Sequence, residues 1–205
     1  MPFSRFLNNC GFPEDGLYGR FVASIMNIGH GKLHKWILRD AGIEAGMKVL
    51  DVGCGGGGMA RRILSSFDEA EVTAVDISKG SIETAERKCS KFNGRFTPVL
   101  SSVEALPIPD SSFDIALSSE SIYFWNNPIK GLKEIRRVLK DGAHLVIVLE
   151  VTDPKVGVIW SKRVPGLRIY SRKELFGMFQ KAGFMNISMK EKRHLTMITG
   201  RKGPL

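Results

Sequence analysis

A doubly wound α/β fold is predicted for this chain. The expected sheet has seven strands, mostly parallel, with an antiparallel hairpin at its C-terminal edge and a helical cap ahead of it. Three observations predict it. From residue 47 onward, strand-like and helix-like segments alternate, which implies parallel strands joined by right-handed crossovers and covered on both faces. The first strand runs into a turn with five glycines in the six positions Gly53 to Gly58. The last two strand-like runs have no helix between them, so they are expected to pair antiparallel.

The elements follow in order. Residues 1–45 read as the cap, built from "LYGRFVASIMNIGH" and "GKLHKWILRDAGI". In the second stretch Leu33, Trp36, Ile37 and Ala41 share a helical face, and Gly42 stands where a C-terminal cap belongs. Residues 46–205 form the domain proper. "MKVLDV" is a strand, "GMARRILSSF" a helix, "EVTAVDI" a strand, and "SIETAERKCSKF" a helix capped by Ser78. "RFTPVL" is a weaker strand, because Pro98 favours an edge or a bulge. "FDIALSS" follows the turn "PDSS".

Asn127 and Pro128 then supply an N-cap and a first helical residue. The helix "IKGLKEIRRVLK" sets Ile129, Leu132, Ile135 and Leu139 on one side and is expected to stop at Asp141–Gly142. "AHLVIVLEV" reads as a buried strand, and residues 152–170 as an irregular loop that joins the cap. Ser171 and Glu174 form a capping box for "KELFGMFQKAG". "FMNISMK" and "HLTMITG" close the sheet.

Composition is that of an ordinary globular protein, 43% apolar and 25% charged. The apolar runs fall short of the ~20 residues a membrane span needs, and the N-terminal stretch has no apolar leader. A cytoplasmic location without a membrane span is expected. Cys10, Cys54 and Cys89 show no paired or zinc-ligand spacing. His30 and His34 stand four apart, but no HExxH glutamate or third ligand accompanies them, so no metal is expected. The net charge of +9 is uneven: residues 155–205 hold 12 Lys/Arg against 2 Asp/Glu. Such a basic quarter fits either a solvated face or an anionic partner.

Gly53, Gly55 and Gly58 spell GxGxxG, and Asp76 follows Gly53 by 23 residues. Those features alone permit a nicotinamide dinucleotide. Asp51 argues otherwise, since a carboxylate two residues before the first glycine would oppose a pyrophosphate. It suits a ligand with a positive group. S-adenosylmethionine combines adenosine with an ammonium and a sulfonium.

Four pieces in order, "VLDVGCGGG", "VTAVDIS", "SVEALPIPDSSFDIALSS" and "EIRRVLKDGAHLVIV", resemble the class I S-adenosylmethionine-dependent methyltransferases. More closely, they are similar to the type 11 group that includes the quinone-biosynthesis C-methyltransferases. The resemblance implies a Rossmann-like sheet and S-adenosylmethionine as cofactor. It places Asp51, Gly53, Gly55 and Gly57 under the methionine and ribose, and Asp76 on the two ribose hydroxyls. Ile77 falls beside the adenine, Ser102 and Val103 at its edge, and Ser119 at the end of the fourth strand. Glu104 reads as a solvated neighbour.

The acceptor pocket is expected along "SSESIYFWNN", under the cap. Glu120 could orient an acceptor proton or lie in solvent. Tyr123 and Trp125 could contact substrate or only pack. Tyr18, Met26 and His30 could close over the methionine end. The favoured acceptor is a small molecule, anionic if the basic quarter meets it. The alternatives are an RNA or protein methyltransferase docking its acceptor on that quarter, and a non-catalytic cofactor-binding interaction module.

Overall fold

The computed structural model describes residues 31–204. The stretch "LYGRFVASIMNIGH", with Tyr18, Met26 and His30, lies outside the described residues.

Helix α1 (Gly31–Asp40) buries the apolar face read from the sequence. Leu33, Trp36, Ile37 and Ala41 all enter one core with residues of the sheet. Trp36 Nε1 donates to Asp40 one turn on, at 2.5 Å, so the large ring is buried with its single donor satisfied.

The sheet comprises β1 (Lys48–Val52), β2 (Glu71–Asp76), β3 (Phe96–Leu100), β4 (Phe113–Ser119), β5 (Leu139–Leu149), β6 (Phe184–Lys192) and β7 (Leu195–Lys202). Between them lie α2 (Gly58–Ser66), α3 (Lys79–Cys89), α4 (Pro128–Val138), α5 (Pro154–Arg163) and α6 (Arg172–Lys181). Strand order is β3-β2-β1-β4-β5-β7-β6. The first five strands pair parallel, and β7 lies antiparallel between β5 and β6. Pro98 sits in β3, at the edge, where its missing N–H costs no ladder bond.

Alternation along the strands divides two cores. In β5, Val146 and Val148 join the core beneath α1, α2 and α3, while Leu145, Ile147 and Leu149 join the core beneath α4 and α6. The caps expected from local sequence are present. Ser78 accepts from the Ser81 amide, Asn127 from the Lys130 amide, and Ser171 and Glu174 reciprocate.

Two expectations need correction. Helix α4 ends at Val138, and Leu139 opens β5 by pairing with Phe113, with an irregularity before the ladder resumes at His144. The helical period through Leu139 is real, but a β4 partner outcompetes another turn. The buried Lys202 also marks this helix end: its Nζ donates to Leu139 O at 2.7 Å and to Arg137 O at 3.4 Å. It thereby satisfies carbonyls that a terminating helix leaves open. Lys202→Met is expected to lower stability by about 2 kcal/mol, read as a lower urea midpoint.

The second correction is the helix α5 within the expected irregular loop. Its start is marked by Asp153, which accepts from the Lys155 amide at 2.8 Å, and by Pro154 at the first position. Gly157 lets Ile169 press on this helix, since an added Cβ would come within 2.5 Å of that side chain.

Strands β1, β2 and β3 run outward one way, and the chain then returns to place β4 on the other side of β1. That reversal opens a crevice at the carboxyl ends of β1 and β4, where open α/β sheets bind ligands.

Candidate functional site

Asp51 stands in β1 on the face toward α2 and is 2% exposed. It takes the Ala60 amide from the first turn of α2, a helix N-terminus that favours negative charge. Burial, helped by the charge of Asp76, nevertheless pushes its carboxyl up to about 7. Its Oδ2 has no hydrogen-bond partner among the described residues. A buried carboxylate with one oxygen unsatisfied suits a cationic or donor group brought by a ligand.

The turn after β1 threads between neighbours. Gly53, Gly55 and Gly57 have φ of 69°, 51° and 71°, the left-handed region that glycine adopts freely. Gly53 N–H donates to Val75 O at 2.8 Å. A Cβ on Gly53 would fall 2.2 Å from Ser121 Cβ, and one on Gly57 would fall 2.8 Å from Ala85, whereas one on Gly55 would meet nothing within 4 Å. Gly53 and Gly57 are therefore required by packing, while Gly55 borders open space.

Asp76 ends β2. Its Oδ2 accepts from the Gly55 amide and its Oδ1 from the Ser78 amide, each at 2.9 Å. These amides orient the carboxylate and leave each oxygen a further lone pair. Burial raises its pKa, and the amides oppose that rise. Beside it Ile77 is 55% exposed, and Leu100, its β3 neighbour, is equally exposed. Both are bare aliphatic side chains at the carboxyl ends of neighbouring strands, Leu100 opposite Asp76 itself. Leu100 was not singled out from the sequence, because only the β2–β3 register places it there.

Ser102 Oγ accepts from the Glu104 amide at 3.2 Å, and Val103 is buried, near Trp125 and Gly131. Glu104 is not merely solvated, since its Oε1 accepts the Asn127 amide at 2.8 Å at the start of α4.

At the end of β4, Ser119 Oγ is buried with no partner among the described residues. Glu120 has φ 59° and accepts the Glu150 amide at 2.5 Å. Burial pushes its carboxyl up to about 8. The Tyr123 hydroxyl donates to Val151 O at 2.7 Å and accepts from Val151 N at 3.1 Å, latching the segment after β4 to the end of β5. Burial raises its pKa.

Sequence reasoning missed Ser121, whose Oγ donates to Val52 O at 3.1 Å and also meets Ser118 Oγ and Trp125 Nε1. With its proton on Val52, both lone pairs take the other two groups, so this hydroxyl is saturated. It ties the ends of β1 and β4 together directly beneath Gly53. Among the described residues no cluster of His, Cys, Asp and Glu could hold a metal.

The structure thus gathers Asp51, the glycine turn, Asp76 and Ile77 at one side of the crevice. Ser119, Glu120 and Tyr123 stand on the β4–β5 side, and Ser102 and Val103 follow β3.

Comparison with known proteins bears on the domain as a whole. A family profile described as a methyltransferase domain of type 11 matches residues 50–147. An uncharacterized methyltransferase of Bacillus subtilis, YdaC, is 26% identical over 82% of this chain and 88% of its own length. The chloroplastic 2-methyl-6-phytyl-1,4-hydroquinone methyltransferase 1 of Oryza sativa is 31% identical over 81% of this chain, which spans about half of that enzyme's length. A solved S-adenosylmethionine-dependent methyltransferase from Aquifex aeolicus shares the fold, with a TM-score of 0.71 at 21% identity, over 88% of this chain and 97% of that one. The buried acid before an open glycine turn and the matched domain point the same way: residues 50–147 form a methyltransferase domain of the type 11 family, set in a fold shared with S-adenosylmethionine-dependent methyltransferases.

Proposed function

We propose that the chain transfers a methyl group from S-adenosylmethionine to a small-molecule acceptor held over the carboxyl ends of β4 and β5. The observation that carries the reading is Asp51, buried with one oxygen unpartnered at the foot of a turn whose Gly55 leaves open space. When bound, the cofactor supplies an electrophilic methyl on a sulfonium. Asp51 balances its positive end, and Gly55 admits it. Asp76, held by the Gly55 and Ser78 amides, accepts the ribose hydroxyls, and Ile77 and Leu100 carry the adenine. Ser102, Val103 and Ser119 border the same crevice.

Transfer is an in-line displacement, so the protein's main work is alignment, worth roughly 7–11 kcal/mol. Burial pushes the Glu120 carboxyl up to about 8, which suits it to exchange a proton with an acceptor hydroxyl. The rice relative is named for a hydroquinone, an acceptor of that kind.

Calorimetric titration with S-adenosylmethionine, S-adenosylhomocysteine and NAD tests the reading. Heat from the first two alone is expected, and binding of NAD alone would overturn it. Asp76→Ala is expected to weaken S-adenosylhomocysteine by about tenfold or more, since a charged acceptor of two hydroxyls is lost. Unchanged affinity in a folded variant would show that the ribose lies elsewhere.

A further inference from the structure

We infer that the cavity between α1 and the β6–β7 hairpin is a subsite for an anionic group, phosphate or carboxylate, on the acceptor. The inference rests on the methyltransferase reading for its placement, though not for its chemistry. The cavity, of about 390 Å³, is walled by Lys35 and Arg39 from α1, by Lys192 and Arg193 from the hairpin, and by Glu150 at the end of β5. Trp36 and Leu195 form part of its wall, and both are buried. A cationic rim over an apolar wall takes an organic anion by its charged end, which a small inorganic anion can mimic.

The charge is not neutralised from within. Asp40 pairs with Arg39 at 2.6 Å, and the hairpin's acid, Glu191, pairs with Arg172. Among the described residues no carboxylate pairs with Lys35, Lys192 or Arg193. Four full cations face Glu150 and the Asp40 partner of Arg39, a surplus of two positive charges. Arg193 also opens the hairpin turn at φ 58°, where Gly or Asn is favoured. Arg193 holds this conformation against its backbone preference.

Position links the cavity to the reaction. Glu150 lines it, and the Glu150 amide donates to Glu120 at the end of β4. In the strand order β4-β5-β7, Glu150 and Leu195 place the cavity at the strands next to β4. Such a placement fits an acceptor whose ring or short chain ends in phosphate or carboxylate.

Inorganic pyrophosphate is the probe, titrated calorimetrically at about 20 mM salt with S-adenosylhomocysteine present. Wild type is expected to bind it with a Kd of about 1 mM or tighter. Lys192→Gln with Arg193→Gly is expected to lose about tenfold, two charge-assisted contacts being removed, with S-adenosylhomocysteine affinity and melting temperature maintained. Glycine suits the turn, so misfolding is not the anticipated outcome. No heat from wild type, or equal affinity in the variant, overturns the subsite. Mixed-sequence RNA binding far more tightly, with a steep salt slope, overturns the small-anion assignment in favour of a polymer. Wild type that takes pyrophosphate but not S-adenosylhomocysteine sinks the cofactor reading and leaves the anion site standing.

Discussion

Asp51→Asn is expected to make the ligand-free protein more stable at about pH 8 and to weaken S-adenosylmethionine binding by about tenfold or more. Both effects have one cause. The Asp51 carboxyl is raised from the ordinary 3.8 to about 7, chiefly by burial. Between those values the folded protein holds a proton that the unfolded chain has released. Its contribution therefore falls as pH rises through this window, and above about 7 the protein carries the full penalty of a buried charge. A shift of that size corresponds to at most about 4 kcal/mol.

Asparagine keeps an acceptor for the Ala60 amide but buries an unpaired N–H donor, which costs about 1–2 kcal/mol. A net gain of about 2 kcal/mol at the higher pH is expected, read from urea unfolding. Glu120, raised to about 8, tilts the profile the same way and remains in the variant, so the slope shrinks without vanishing. Binding moves oppositely. A sulfonium and an ammonium favour the charged acid, so wild-type affinity for S-adenosylmethionine rises with pH through about 7, and the variant's profile is flatter. A variant no more stable at the higher pH, with unchanged affinity, would mean that Asp51 meets neither penalty nor cation.

What could be read in the sequence was what local chemistry dictates. Ser78, the Asn127–Pro128 pair and the Ser171–Glu174 box act within one turn, so their spacing was sufficient. Pro98 announced an edge because a missing donor is intrinsic to the residue. Leu139 was misread because its rival partner, Phe113, comes from another strand. Helix α5 was missed because Val156, Gly157 and Val158 are weak helix formers, and its anchor, Ile169, lies in a later segment.

The candidate site divides the same way. Asp51 and the glycine turn form one continuous motif, and Asp76 ends the next strand. Ser121 and Leu100 acquire their places only through the β1–β4 and β2–β3 pairings. The basic quarter was visible as composition, but the sequence could not show Lys35 and Arg39 meeting Lys192 and Arg193. That meeting requires β7 to lie beside β5 and α1 to pack on the sheet.

Gly53→Ala and Gly55→Ala are expected to fail in different ways, although both glycines have left-handed φ in one turn. At Gly53 the new methyl carbon would fall 2.2 Å from Ser121 Cβ and 2.5 Å from Ser121 Oγ. That hydroxyl is held by Val52, Ser118 and Trp125 and cannot swing aside without freeing three buried groups. Overpacking of about 1–3 kcal/mol adds to left-handed strain of about 1–2 kcal/mol, so roughly 3 kcal/mol of stability is expected to go. Adding Ser121→Gly removes the collision, and the double variant is expected to be less damaged than the two single effects predict, by about 1 kcal/mol or more. At Gly55 a methyl would meet no protein atom within 4 Å, so only the strain of about 1–2 kcal/mol applies. The space it enters is where the cofactor is proposed to lie, and affinity for S-adenosylhomocysteine is expected to fall by about tenfold or more. Measuring urea midpoints and calorimetric affinities for both variants separates the two roles. If Gly55→Ala binds as well as wild type, the cofactor does not pass over the turn.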